Sequence, residues 1–107
     1  MNESKIPKWH GIVSALLFKQ GWVGEFKFHP VRKWRADLCH PEKKVIIEIN
    51  GGVWIGGRHT SGSGFVKDME KLNAAAILGY RILQYTPQQF KDGLPLSNLE
   101  EMFKEPF

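Results

Sequence analysis

The segment Val45-Ile46-Ile47-Glu48-Ile49 limits the fold more than any other stretch of the chain. Its β-branched density is that of a central strand in a sheet. Yet a carboxylate sits inside it, and strand-borne charge among apolar neighbours is costly to bury unless it is paired or bound to a cation. The rest of the chain must supply both a sheet around this strand and a partner for Glu48.

Periodicity supplies the sheet and its helices. Apolar residues at Trp9, Ile12, Val13, Leu16 and Leu17 follow the i, i+3, i+4, i+7, i+8 spacing of an amphipathic helix from Trp9 to Phe18, with Gly21 as its stop. Phe26 and Phe28 alternate with Glu25 and Lys27, which predicts a strand with one buried face, closed by His29-Pro30. Trp34, Ala36 and Leu38 alternate with Arg35, Asp37 and Cys39 in a second strand ending near His40-Pro41. The tight connection Pro41-Glu42-Lys43 then leads into Val45–Ile49 and completes a meander.

Gly51-Gly52, Gly56-Gly57, Gly62 and Gly64 punctuate a loop of about fifteen residues, a length that in a small domain marks either function or disorder. Helical spacing resumes from Phe65 to Leu78 through Met69, Leu72 and Ala76, and Gly79 ends it. Tyr80 to Tyr85 reads as a fourth strand, Thr86-Pro87 opens a further helical turn, and Leu96 to Phe103 can form a short last helix. The order α-β-β-β-α-β-α describes one α/β domain over residues 1–107, a mixed four-stranded sheet flanked by helices.

Composition narrows the classes of function. Apolar residues at 42% and charged residues at 24% fit a globular chain, and no apolar run approaches the ~20 residues of a membrane span, so no membrane partner is expected. The N-terminus shows no signal-peptide pattern, and the single cysteine, Cys39, excludes an internal disulfide framework or a multi-cysteine zinc site. A cytoplasmic, nucleoid-associated location is the expectation. Fifteen Lys and Arg against eleven Asp and Glu give a formal charge of +4. The excess is local: Lys27, Arg32, Lys33, Arg35, Lys43 and Lys44 face only Asp37 and Glu42 in their stretch. Such a strip suits contact with phosphates, and equally a solvated surface.

Asp37 on the second strand stands in register to approach Glu48 on the third. Two carboxylates on adjacent strands suggest an oxygen-rich divalent site, and Mg²⁺ suits one or two carboxylates with waters and phosphate oxygens. The alternative is that Asp37 and Glu48 pair with Arg35 or Lys44 at a sheet end.

The stretches Arg35-Ala36-Asp37-Leu38 and Lys43-Lys44-Val45-Ile46-Ile47-Glu48-Ile49-Asn50-Gly51-Gly52 resemble the core of the PD-(D/E)XK nuclease superfamily, with its restriction-endonuclease-like fold. The glycine pair, the loop bearing His59, Asp68 on the following helix and Leu78-Gly79-Tyr80-Arg81-Ile82-Leu83-Gln84-Tyr85-Thr86 resemble the small endonuclease-like proteins related to very short patch repair endonucleases and phage-type Holliday junction resolvases. The likeness spans roughly residues 25 to 90.

The resemblance implies Mg²⁺, with Mn²⁺ as a substitute, held by Asp37, Glu48 and the Ile49 carbonyl. It also exposes two departures. Asn50 stands where the pattern carries a lysine, and an amide donates a hydrogen bond but no charge. The missing cation could come from Lys27, Lys67 or Lys71, although a lysine on an exposed helix face is ordinarily solvated. The first helix lacks the acidic residue of many resolvases, leaving Glu25 as the nearest replacement, or as a rim charge paired with Lys27 or Arg35. His59 would protonate the leaving oxygen or hold the phosphate, and Arg58 and Thr60 beside it are phosphate-compatible donors, as are Arg32, Lys33, Arg35 and Lys67. Trp54 is either core or a base-stacking wedge, and Trp22 and Trp34 are expected in the core.

The resulting expectation is a Mg²⁺-dependent endodeoxyribonuclease acting on branched or mismatched DNA. A four-way junction would require two linked sites and hence a homodimer. A DNA-binding module without chemistry is the rival, motivated by Asn50, and RNA is a third option. The small chain would suit a phage or mobile-element protein.

Overall fold

A computed structural model describes residues 11–50 and 62–106. Helix α1 (Gly11–Lys19) precedes the strands β1 (Val23–Phe26), β2 (Ala36–His40) and β3 (Val45–Ile49). Helix α2 (Gly62–Ile77) then crosses to β4 (Arg81–Tyr85), which is followed by α3 (Pro87–Lys91) and α4 (Leu94–Phe103). The sheet order is β1-β2-β3-β4, antiparallel through β3 and parallel between β3 and β4. The parallel pair needs a crossover, and α2 provides it.

Alternation along β3 sets the layers. Val45 and Ile47 join Leu38, Tyr85, Val13, Leu17, Phe90 and Leu99, so α1, α3 and α4 cover one face. Ile46 joins Cys39, Ala36, Phe28 and Ala75, so α2 covers the other. Glu48 follows Ile46 by two positions and therefore lies on the α2 side.

Two helices end by the same device. Gly79, at φ 96°, donates to the Ala76 carbonyl while Tyr80 N–H reaches the Ala75 carbonyl. Gly21, at φ 95°, likewise donates to Phe18, and Trp22 N–H reaches Leu17. These are Schellman closures, and they need a residue that takes the left-handed region without strain. At the start of α3, Gln89 N–H donates to Thr86 Oγ1 and Thr86 N–H donates to Gln89 Oε1, a capping box with Pro87 in the first turn.

Four boundaries differ from the sequence expectation. Helix α2 begins at Gly62 rather than Phe65, so Gly62 and Gly64 belong to the helix, and the rest of the expected glycine-rich loop, 51–61, lies outside the described residues. β1 lies earlier, because Glu25 adopts φ 51° and the chain leaves the sheet after Phe26. Phe28 is nonetheless buried, stacked on Trp34 and edge-on to Tyr80, so its apolar periodicity reflects packing beyond the strand. β2 begins at Ala36 rather than Trp34, and Trp34 is half-buried against the α2-side cluster, whereas Trp22 is core. The C-terminal helix starts at Leu94 and stands as a separate α4, giving the order α-β-β-β-α-β-α-α. Among the described residues no helix is long and apolar enough to cross a membrane.

Phe90 is fully buried where α1, α3 and α4 meet the sheet, whereas Ile77 at the end of α2 is 84% exposed. Urea unfolding of Phe90→Ala is expected to show a loss of about 3–5 kcal/mol, and Ile77→Ser a change within about 0.5 kcal/mol. Equal losses would contradict this placement of the core.

Candidate metal centre

A row of polar residues crosses the α2 side of the sheet. One step past the pair Leu38↔Ile47, the β2–β3 register brings Asp37 opposite Glu48, and the β3–β4 register pairs Glu48 with Gln84. Asp37 and Glu48 then exchange side chains for main chain. Asp37 N–H donates to Glu48 Oε2 at 3.0 Å, and Ile49 N–H donates to Asp37 Oδ2 at 2.7 Å. Carboxylate oxygens thus replace ladder carbonyls where the strands part, which satisfies two main-chain donors.

Lys71 reaches the same pair from α2. Its ammonium donates to Glu48 Oε1 at 2.8 Å, with the two side chains only 15% and 10% exposed. Burial pushes the Glu48 carboxyl above its ordinary value of 4.5, the charge of Asp37 pushes it further, and Lys71 with the Asp37 N–H pulls back. Among the described residues two carboxylates face one cation here.

A cavity of about 280 Å³ opens beside the pair, with Glu48, Asn50 and Gln84 from the sheet on one side and Asp68, Met69, Lys71 and Leu72 from α2 on the other. Asn50 closes the end of β3 through its N–H to the Tyr85 carbonyl, and its Nδ2 donates to Gln84 Oε1 at 2.7 Å. Asn50 is therefore an amide engaged with a second amide.

The structure joins Asp37, Glu48, Ile49, Asn50 and Lys71 at this point and leaves other candidates apart. Lys27 and Lys67 are exposed, and neither forms an ion pair among the described residues. Register sets Glu25 across from Asp37, but its left-handed φ breaks the pleat, and among the described residues no third acid, histidine or cysteine completes a metal-binding group. Neither Arg35 nor Lys44 pairs with either carboxylate: Arg35 is exposed, and Lys44 lies 4.2 Å above the Tyr80 ring.

Arg32, Lys33 and Arg35 are exposed in the segment joining β1 to β2. That segment is shaped by His29, whose Nδ1 accepts from the N–H groups of Val31 and Arg32, and by Arg32 lying 4.0 Å above the Trp34 ring. Asp68 is exposed at the cavity. Arg58, His59, Thr60 and Trp54, with Trp9 at the start of the expected first helix, lie outside the described residues. Gln84 escaped sequence reasoning. Its alternation with Ile82 would have placed it on the α2 side, but only the parallel register brings it level with Glu48.

Comparison of the chain with known protein families, curated proteins and solved structures finds no match.

The raised Glu48 carboxyl gives a pH signature. Since the native group holds its proton more tightly than the unfolded one, its stabilising contribution is fully present below 4.5 and is lost as pH rises through the higher native value. Glu48→Gln removes the titration. Unfolding free energies from pH 4 to 8 should show wild type losing stability relative to Glu48→Gln as pH rises above 4.5. A pH-independent difference would contradict a carboxyl strained by burial.

Proposed function

We propose that the chain is a Mg²⁺-dependent endodeoxyribonuclease, its mixed sheet a restriction-endonuclease-like core and its reactive centre the Asp37–Glu48–Lys71 group. The observation that carries this reading is the pair of opposed carboxylates, met among the described residues by one ammonium, with Glu48 and Lys71 lining an open cavity. The donor set is all oxygen, as Mg²⁺ requires, and two carboxylates are as many as such sites usually take from protein. Asp37, Glu48 and the Ile49 carbonyl would hold the ion, with Mn²⁺ as a substitute. When bound, it would lower the pKa of a water and offset charge on the pentavalent phosphorus.

The chain's own residues divide the remaining work. Lys71, which pairs with Glu48 and lines the cavity, would stand in for the cation missing at Asn50 and meet a phosphate oxygen there. The Asn50–Gln84 amide pair offers hydrogen bonds to the attacking water or the phosphate. Arg32, Lys33 and Arg35 form a basic approach that engages the backbone without reading bases. Structure-selective cutting of mismatched or branched DNA suits such contacts, and a four-way junction would call for a homodimer.

One observation favours the rival reading, a DNA-binding module without chemistry. Glu48 is already satisfied by Lys71 and a main-chain N–H, and Asn50 by Gln84, a self-sufficient arrangement that could persist as structure alone. Cleavage assays on linear, mismatched and four-way DNA with Mg²⁺, Mn²⁺ or EDTA separate the two.

In those assays Asp37→Ala and Glu48→Ala should abolish cutting and leave DNA binding intact. Lys71→Met should lower turnover at least about tenfold, a barrier change of ~1.4 kcal/mol, while Lys27→Met and Lys67→Met cut near the wild-type rate. Undiminished cutting by either carboxylate variant would sink the site.

Replacing Arg32, Lys33 and Arg35 together by Gln should weaken binding to every DNA shape. The log–log salt slope should flatten by about 0.9 per lost phosphate contact on duplex DNA. An unchanged slope would move the DNA face elsewhere.

A further inference from the structure

We infer that Lys71 is a built-in occupant of the cation position, so that a divalent ion and the Lys71–Glu48 ion pair are mutually exclusive. The inference rests on the metal-site reading above and adds how that site is regulated.

Oxygen bookkeeping leads to it. Glu48 Oε2 is committed to Asp37 N–H and Asp37 Oδ2 to Ile49 N–H, the contacts that hold the parted strands together. Glu48 Oε2 keeps one lone pair after that bond, and Oε1 is the oxygen that carries no main-chain contact. That oxygen is where the Lys71 ammonium sits, at 2.8 Å. A divalent ion on Glu48 would lie within a few ångströms of that ammonium, and two cations so close between side chains only 15% and 10% exposed repel strongly, which drives one of them off.

Charge favours the exchange. Asp37 and Glu48 together carry two negative charges when ionised, and Lys71 returns one, leaving the pair short by one. A divalent ion at Oε1 cancels both, and its attraction to each carboxylate is double that of the ammonium at equal distance. The displaced lysine has somewhere to go. Asp68 lies three residues earlier on α2 and lines the same cavity, a spacing at which helical side chains meet. Lys71 thus has an acceptor in each state, Glu48 in the empty site, Asp68 once an ion is bound without DNA, and a phosphate oxygen once DNA enters, and the apparent metal affinity is reduced by the fraction of chains in which Lys71 holds Glu48.

Mn²⁺ titration of the purified chain by calorimetry tests the exchange. Lys71→Met and Lys71→Gln should each bind Mn²⁺ at least tenfold more tightly than wild type. Lys67→Met removes the same charge one turn earlier without touching Glu48 and should stay within threefold. Glu48→Gln should not bind. A second measurement needs no variant: labelling of the wild-type chain with an amine-reactive reagent, read by mass spectrometry, should rise at least threefold at Lys71 on adding Mn²⁺ and stay constant at Lys67. Wild-type binding of Mn²⁺ with equal or weaker binding by both Lys71 variants, or with unchanged labelling at Lys71, would overturn the exchange and leave the metal-site reading standing. Absence of Mn²⁺ binding in all proteins would overturn both.

Discussion

The reciprocal capture of main-chain N–H groups by Asp37 and Glu48 is the constraint on which the candidate site depends. An antiparallel pair that simply continued past Leu38↔Ile47 would bury a closed ladder, with no opening between β2 and β3. Here two carboxylates enter the ladder instead, satisfying the donors they displace from the main chain. The cost is two like charges side by side in a desolvated position, visible in the raised Glu48 carboxyl. Lys71 reduces that cost because α2 crosses the same side of the sheet.

The two ends of the sheet are built in contrasting ways. Where β2 ends and β3 begins, His40 is buried edge-on to Trp22, its Nδ1 accepting Lys43 N–H and its Nε2 meeting the Gln20 carbonyl. With Nδ1 as the acceptor, Nε2 must carry the proton, so the neutral ring satisfies both contacts. Lys43 and Arg81 then lie over the Phe103 ring and draw the end of α4 onto that edge. The opposite end carries Asp37, Glu48, Gln84 and Asn50 and opens into a cavity. Closure by hydrogen bonds and ring contacts at one end and polar splaying at the other is a division that lets a small domain hold charge without losing its core.

Local chemistry made much of this legible in the sequence. The β-branched run of β3, the glycines that close α1 and α2, and the Thr86-Pro87 opening of α3 each carry their instruction within a few residues. The pairing of Asp37 with Glu48 was readable because a meander fixes its own register. Long-range contacts were not. Lys71 meets Glu48 across 23 positions of sequence, and a lysine at helical spacing looks the same whether it faces solvent or a buried acid. Gln84 depended on the parallel register, and the end of β1 on the left-handed turn at Glu25, which no alternation pattern announces.

The central claim is that Asp37 and Glu48 together hold a divalent ion. Crystals grown with Mn²⁺ and measured at the manganese absorption edge test it most directly, because anomalous scattering locates the ion without reference to activity. The account predicts an anomalous peak between the Asp37 and Glu48 carboxylates, with the Lys71 ammonium withdrawn from Glu48 Oε1. A fully ordered site without that peak at saturating Mn²⁺, with Lys71 still bonded to Glu48, would contradict it.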